Sequence, residues 1–128
     1  MAHTHQIRVR YAETDAQQVA HHSAYVVWLE EARIEALRTL GRSYRQLEAD
    51  GTLLPVIAVN VRYRQALRFD DVADLVTEVS VDSPSRISFA TAVCHGETLC
   101  AEATVTVAAV GADGRPKRLP ADLVALLD

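Results

Sequence analysis

Apolar and polar residues alternate from Gln6 to Ala12, with Ile7, Val9 and Tyr11 on one side and Gln6, Arg8, Arg10 and Ala12 on the other. A period of two belongs to a half-buried strand, so the pattern predicts a strand over 6–12. The period then lengthens. Tyr25, Leu29, Ala32, Ala36 and Leu40 recur at three- and four-residue steps, flanked by Val26, Trp28, Arg33 and Leu37. That spacing predicts one long amphipathic helix over 24–40. Ser23 stands where an N-cap belongs, and Gly41 where a left-handed C-cap glycine belongs. Glu30–Arg33 and Glu35–Arg38 are spaced as exposed pairs on it. A shorter helix is signed by the capping-box spacing of Ser43 and Gln46 and stopped by Gly51.

Beyond residue 54 the period returns to two. Val59, Val61 and Tyr63 alternate with Asn60, Arg62 and Arg64 in a strand expected over 54–66. Further strands are expected over 73–82, 86–95 and 98–110, the last with Leu99, Ala101, Ala103, Val105 and Val107 on one face. Asp82-Ser83-Pro84-Ser85 reads as a turn, and Gly96-Glu97 as a tight hairpin. Pro120 is placed to open a short helix ending near Leu127. Short connections make neighbouring strands antiparallel, and one long amphipathic helix must cover a face of their sheet. The class is therefore α+β, about five antiparallel strands wrapped around one central helix. Small residues at Ala101 and Ala103 suit a sheet curving closely round that helix.

Composition narrows this little. The 128 residues, expected to form one domain over 1–128, are 49% apolar and 23% charged, ordinary for a globular chain. A net charge of −4, from 13 basic and 17 acidic residues, argues against nucleic acid as the main partner. No run approaches the roughly 18 apolar residues of a membrane span. The first six residues lack the basic and apolar regions of a signal peptide. Cys94 and Cys100 read as free thiols, and the expected location is a reducing cytoplasm.

The candidate chemistry lies between the first strand and the long helix. Tyr11 to Tyr25 contains the acidic residues Glu13 and Asp15, then His21 and His22. A carboxylate there is held by rigid elements on both sides. The first N–H groups of the helix have no partner within it, and the positive end of its dipole points outward. Asp15 beside the helix start near His22 thus pairs an acid, base or nucleophile with a stabiliser of an oxyanion. An aspartate before a helix is also, ordinarily, just a cap or turn residue. Glu31, on the helix, is a rival acid or a solvent-exposed residue. His3, His5, His21 and His22 match no zinc-ligand spacing.

Tyr11, Thr14, Asp15, His22 and Tyr25 together resemble the motif of the hotdog acyl-CoA thioesterases, the family of 4-hydroxybenzoyl-CoA thioesterase and of the thioesterases associated with the Tol–Pal system. The resemblance extends to the Leu-Gly ending of the helix, to Val59-Asn60-Val61-Arg62-Tyr63 and to Phe69-Asp70-Asp71. It implies a hotdog fold and hydrolysis of an acyl-CoA or acyl-carrier-protein thioester. Asp15 would be the catalytic carboxylate, as nucleophile or general base. His22 would lend its backbone N–H to the thioester carbonyl, and the Tyr11 and His22 side chains would orient the carboxylate or the water. Arg86 and Ser88 fall where one branch of the family contacts the CoA nucleotide. The resemblance further implies a homodimer or homotetramer and no cofactor. Two positions depart from the family: Gln18 stands where glycine is usual and Ala24 where asparagine is frequent. The competing expectation is a non-hydrolytic module that binds acyl thioesters or serves in assembly. A hotdog dehydratase is a third, lacking here its usual histidine-and-acid pair.

Overall fold

The computed structural model describes residues 2–127; Met1 and Asp128, the two ends of the expected domain, lie outside the described residues. Five strands, β1 (Ala2–Arg8), β2 (Val56–Tyr63), β3 (Val72–Ser83), β4 (Arg86–His95) and β5 (Thr98–Ala108), form one antiparallel sheet in the order β1-β3-β4-β5-β2. The helices are α1 (His22–Leu40), α2 (Tyr44–Ala49) and α3 (Ala121–Leu127). Ile7, Leu75, Ile87, Phe89, Val93, Ala101 and Val107 bury one sheet face against Trp28, Leu29, Ala32 and Leu37 of α1. Ala32 and Ala36 are fully buried, as are Ala73 and Ala101 on the sheet. α1 lies closest to β1 and β3, where Ala73 is fully buried, whereas Ala101 and Ala103, expected to line a close helix approach, are buried on β5 away from it. Among the described residues no helix is long and apolar enough to cross a membrane.

Several local signals act as read. Gly41 caps α1 at φ 105°, and the Ser43–Gln46 capping box opens α2. The Glu30–Arg33 and Glu35–Arg38 pairs form, although the Arg33 side chain is largely buried. Cys94 is partly and Cys100 fully buried, and both are free thiols.

Other expectations are corrected. The first strand ends at Arg8 rather than at residue 12, because the Glu13 carboxylate takes the Arg10 N–H at 2.7 Å and winds Tyr11–Glu13 into a single 3-10 turn. The N-cap of α1 is His21, not Ser23: its Nδ1 accepts the Ser23 N–H at 3.1 Å. The β4–β5 register shifts between Val93 and Cys94, whose partners are Ala101 and Leu99, leaving Cys100 as an extra residue of β5 that is buried while Leu99 is exposed. β2 is shorter than 54–66 and does not pair with its sequence neighbour β3. Residues 64–71 carry the chain across the sheet, and β2 becomes an edge strand held only by β5.

Candidate active site

The chain between β1 and α1 is a tied loop. After the 3-10 turn, the Asp15 N–H bonds to the Val19 carbonyl at 3.0 Å and the Gln18 N–H to the Asp15 carbonyl at 2.9 Å. The Gln17 N–H donates to Asp15 Oδ1 at 2.8 Å, which fixes the carboxylate against its own turn. Closing this turn puts Gln18 at φ 66°, a left-handed conformation that favours glycine. The departure noticed at Gln18 therefore falls on a position whose backbone asks for glycine. The loop is anchored at its far end, where the Ala20 N–H bonds to the Leu67 carbonyl at 2.7 Å.

The start of α1 follows at once. Ser23 N–H is capped by His21 Nδ1, and the Ala24 N–H bonds to the His21 carbonyl at 2.9 Å. The His22 N–H, at the first helical position, has no acceptor within the helix. The His21 and His22 rings stack 3.9 Å apart, and the Tyr63 hydroxyl donates to the His22 carbonyl at 3.2 Å.

Asp15 and His22 line one cavity of about 300 Å³ with Val19, Tyr25, Tyr63 and Arg64. Tyr25 meets Tyr63 edge-on at 5.0 Å, and burial, aided by the neighbouring Cys100 and Tyr63, pushes its hydroxyl up to about 12. It stays a neutral donor throughout the working range of pH. Arg64 is paired with Glu102 at 2.7 Å. Asp15 also borders a second hollow of about 450 Å³ on its other side, lined by Arg10, Glu13, His21, Ser23 and Val27. Asp15 thus borders two spaces, one of which it shares with the first residue of α1. A larger hollow, about 510 Å³, lies on the outer face of the sheet around Asn60, Arg62, Glu78 and Glu102. It has no helix end on its wall, and Glu102 is already paired with Arg64.

The other expected site residues are placed elsewhere. Tyr11 is 77% exposed, packs its ring edge-on against Phe69 at 5.5 Å and borders neither Asp15 cavity. Its backbone contributes instead, its carbonyl accepting from Thr14 Oγ1 at 2.7 Å. Arg86 opens β4 at the surface. Ser88 bonds to Asp82 and approaches Thr106, away from both cavities. Glu31 is exposed and lies 3.2 Å from His5. Among the described residues no three His, Cys, Asp or Glu side chains converge as a metal site. Tyr63 was not legible as a site residue, because only folding carries β2 to the mouth of α1.

The five-stranded antiparallel sheet packed on one long helix defines a hotdog fold. The sequence model of the thioesterase-like superfamily matches residues 9–127, and the chain belongs to that family. It is 34% identical over 121 residues to the Escherichia coli acyl-CoA thioester hydrolase YbgC, covering 93% of this chain and 90% of that one. YneP of Bacillus subtilis is 38% identical over 68 residues, a span of 53% of this chain and 49% of that one. A solved structure of a hypothetical protein from Thermus thermophilus superposes with a TM-score of 0.92 at 34% identity, over 97% of this chain and 95% of the other. The protein is a thioesterase-family enzyme.

Proposed function

We propose that the protein hydrolyses acyl-CoA or acyl-carrier-protein thioesters with Asp15 as the reacting carboxylate. The observation that carries this is the shared cavity of Asp15 and His22. The thioester carbonyl sits there with its oxygen toward the His22 N–H, and the helix end stabilises the charge that develops on it. Asp15 either attacks the acyl carbon, giving a mixed anhydride that water then cleaves, or takes a proton from the attacking water. Both routes give the free acid and the thiol and need no cofactor. Tyr25 and Tyr63 wall the cavity, and the Tyr63 bond to His22 steadies the helix start. The Tyr11 side chain, turned to solvent in this chain, would reach the site only by rotating about its turn or by meeting a partner.

That partner is a second copy. β2 is an edge strand on which Val56, Ile57, Val59 and Tyr63 are all exposed, Val59 at 44%. An apolar edge of this kind is covered by pairing with another strand. Arg86 and Ser88 border neither Asp15 cavity of their own chain, so nucleotide contacts from them would come from the other subunit. The free thiols Cys94 and Cys100 fit a cytoplasmic location.

The test is thiol release from a panel of acyl-CoAs by the wild-type protein and by Asp15→Asn, which keeps the turn-closing acceptor but not the charge. Release by the wild type and loss of at least about a hundredfold in the variant supports the reading. Equal, background-level release from both removes it and leaves the non-hydrolytic module; equal release above background removes the role of Asp15.

A further inference from the structure

Glu13 is two residues before Asp15, yet its carboxylate does not face the shared Asp15–His22 cavity; its side chain is only 9% exposed. Glu13 accepts four bonds. Oε1 accepts the Arg10 N–H at 2.7 Å, and Oε2 accepts Trp28 Nε1–H at 2.9 Å and the Arg10 guanidinium at 3.3 Å. The Glu13 carbonyl accepts the His21 N–H at 2.7 Å. Trp28 is a fully buried residue of the second turn of α1, so the carboxylate ties the loop to the body of the helix and the carbonyl ties it to the cap. Burial works to raise the Glu13 carboxyl. The bonds from Arg10, Trp28 and the guanidinium outweigh it and hold the group below the ordinary carboxylate value.

We infer that Glu13 is a positioning residue for the thioesterase reaction: it fixes the spacing between the Asp15 carboxylate and the His22 N–H. This rests on the reading of Asp15 given above. The two reacting groups are on different elements, a turn and a helix end. Along the chain they are separated by the Asp15–Ala20 loop, which includes the strained Gln18. Glu13 is the short cut between those elements: two residues from Asp15 in the chain, it is held by two bonds to Arg10 at the end of β1 and by two to the helix side, at His21 and Trp28. A carboxylate can accept from the Arg10 N–H and the indole N–H together. A glutamine offers one carbonyl oxygen and turns an NH₂ toward the other donor. The Glu13 side chain does not line the Asp15–His22 cavity, so its loss should disturb alignment more than binding there.

The experiment compares the wild type, Glu13→Gln, Glu13→Ala, Trp28→Phe and Asp15→Asn by steady-state kinetics, with fold checked by circular dichroism in all and by the emission of Trp28, the single tryptophan, in those that keep it. In folded protein, Glu13→Ala should lower kcat by about 10- to 100-fold with KM within about threefold, as expected for misalignment on the scale of an ångström. Glu13→Gln should fall between it and the wild type, and should shift the Trp28 emission. Trp28→Phe keeps an aromatic in the core but removes the indole donor, and should lower kcat alone; it decides the matter if Glu13→Ala does not fold. Unchanged kcat in folded Glu13→Gln and Trp28→Phe, with Asp15→Asn inactive, overturns the positioning role and spares the Asp15 reading. Full activity in Asp15→Asn overturns both.

Discussion

The Tyr63 hydroxyl and the His22 carbonyl, 3.2 Å apart, join the edge strand β2 to the first residue of α1. They are forty-one positions apart in the chain, and the bond places an aromatic from one sheet edge on the wall of the cavity that holds Asp15. Tyr63→Phe keeps the edge-on packing with Tyr25 and deletes only that bond. Since Tyr63 is half exposed, the stability cost should lie near the lower end of the usual range, about 0.5 kcal/mol. The effect on kcat should exceed the effect on stability. A urea melt and a kcat measurement on the same preparation check both.

Gln18 at φ 66° carries strain that a glycine would not. Relief of that strain is partly offset by the larger backbone freedom of glycine in the unfolded chain. Gln18→Gly should therefore stabilise the protein by roughly 0.5–1 kcal/mol, read as a higher urea midpoint at unchanged slope. A lower midpoint would show that the Gln18 side chain makes a compensating contact.

Thr77 and Thr91 face each other across β3 and β4 with their hydroxyls 2.8 Å apart, both buried in the core face of the sheet. Either hydroxyl alone would be a polar group without a partner. Thr91→Val should cost about 1–3 kcal/mol, while the double change Thr77→Val with Thr91→Val should recover most of it. A double-mutant cycle by chemical denaturation measures the coupling, and additive losses would mean the two hydroxyls are not bonded.

The Glu13 carboxyl is held below its ordinary 4.5 in the folded protein. A group with a depressed folded pKa contributes stability that is fully present above the unfolded value and is lost as pH falls through the folded one. The gap in Tm between the wild type and Glu13→Gln should accordingly be widest at neutral pH and shrink on acidification below about 4.5. Thermal melts from neutral to acid pH follow it. A constant gap would mean that the ionised carboxylate is not what Arg10 and Trp28 hold.

Val59 is exposed on an edge strand beside Ile57 and Tyr63. If β2 pairs with its counterpart on a second copy, Val59→Lys puts like charges into a small apolar interface and should shift the protein toward monomer with loss of activity. Sedimentation velocity reads the mass; an unchanged oligomer would move the interface to another face.

Each element that depends on neighbours in sequence was legible from the chain alone. The three-and-four spacing of Tyr25, Leu29, Ala32 and Ala36, the glycine at 41 and the Ser43–Gln46 box are interactions within a few residues, so pattern suffices to place α1 and α2. Resemblance likewise put Asp15 next to His22, and the structure lines one cavity with both. Tertiary structure decided what long-range bonds control. It carried β2 past β3 to the far edge beside β5, brought Tyr63 and Arg64 to the mouth of the helix, and turned Tyr11 outward. There the alternation of Ile7, Val9 and Tyr11 was cut short by the Glu13 carboxylate, whose bond to Trp28 spans fifteen residues. A side chain that bonds across the fold can override local periodicity, because one buried charge-assisted bond outweighs the small preference of a single residue for either face of a strand.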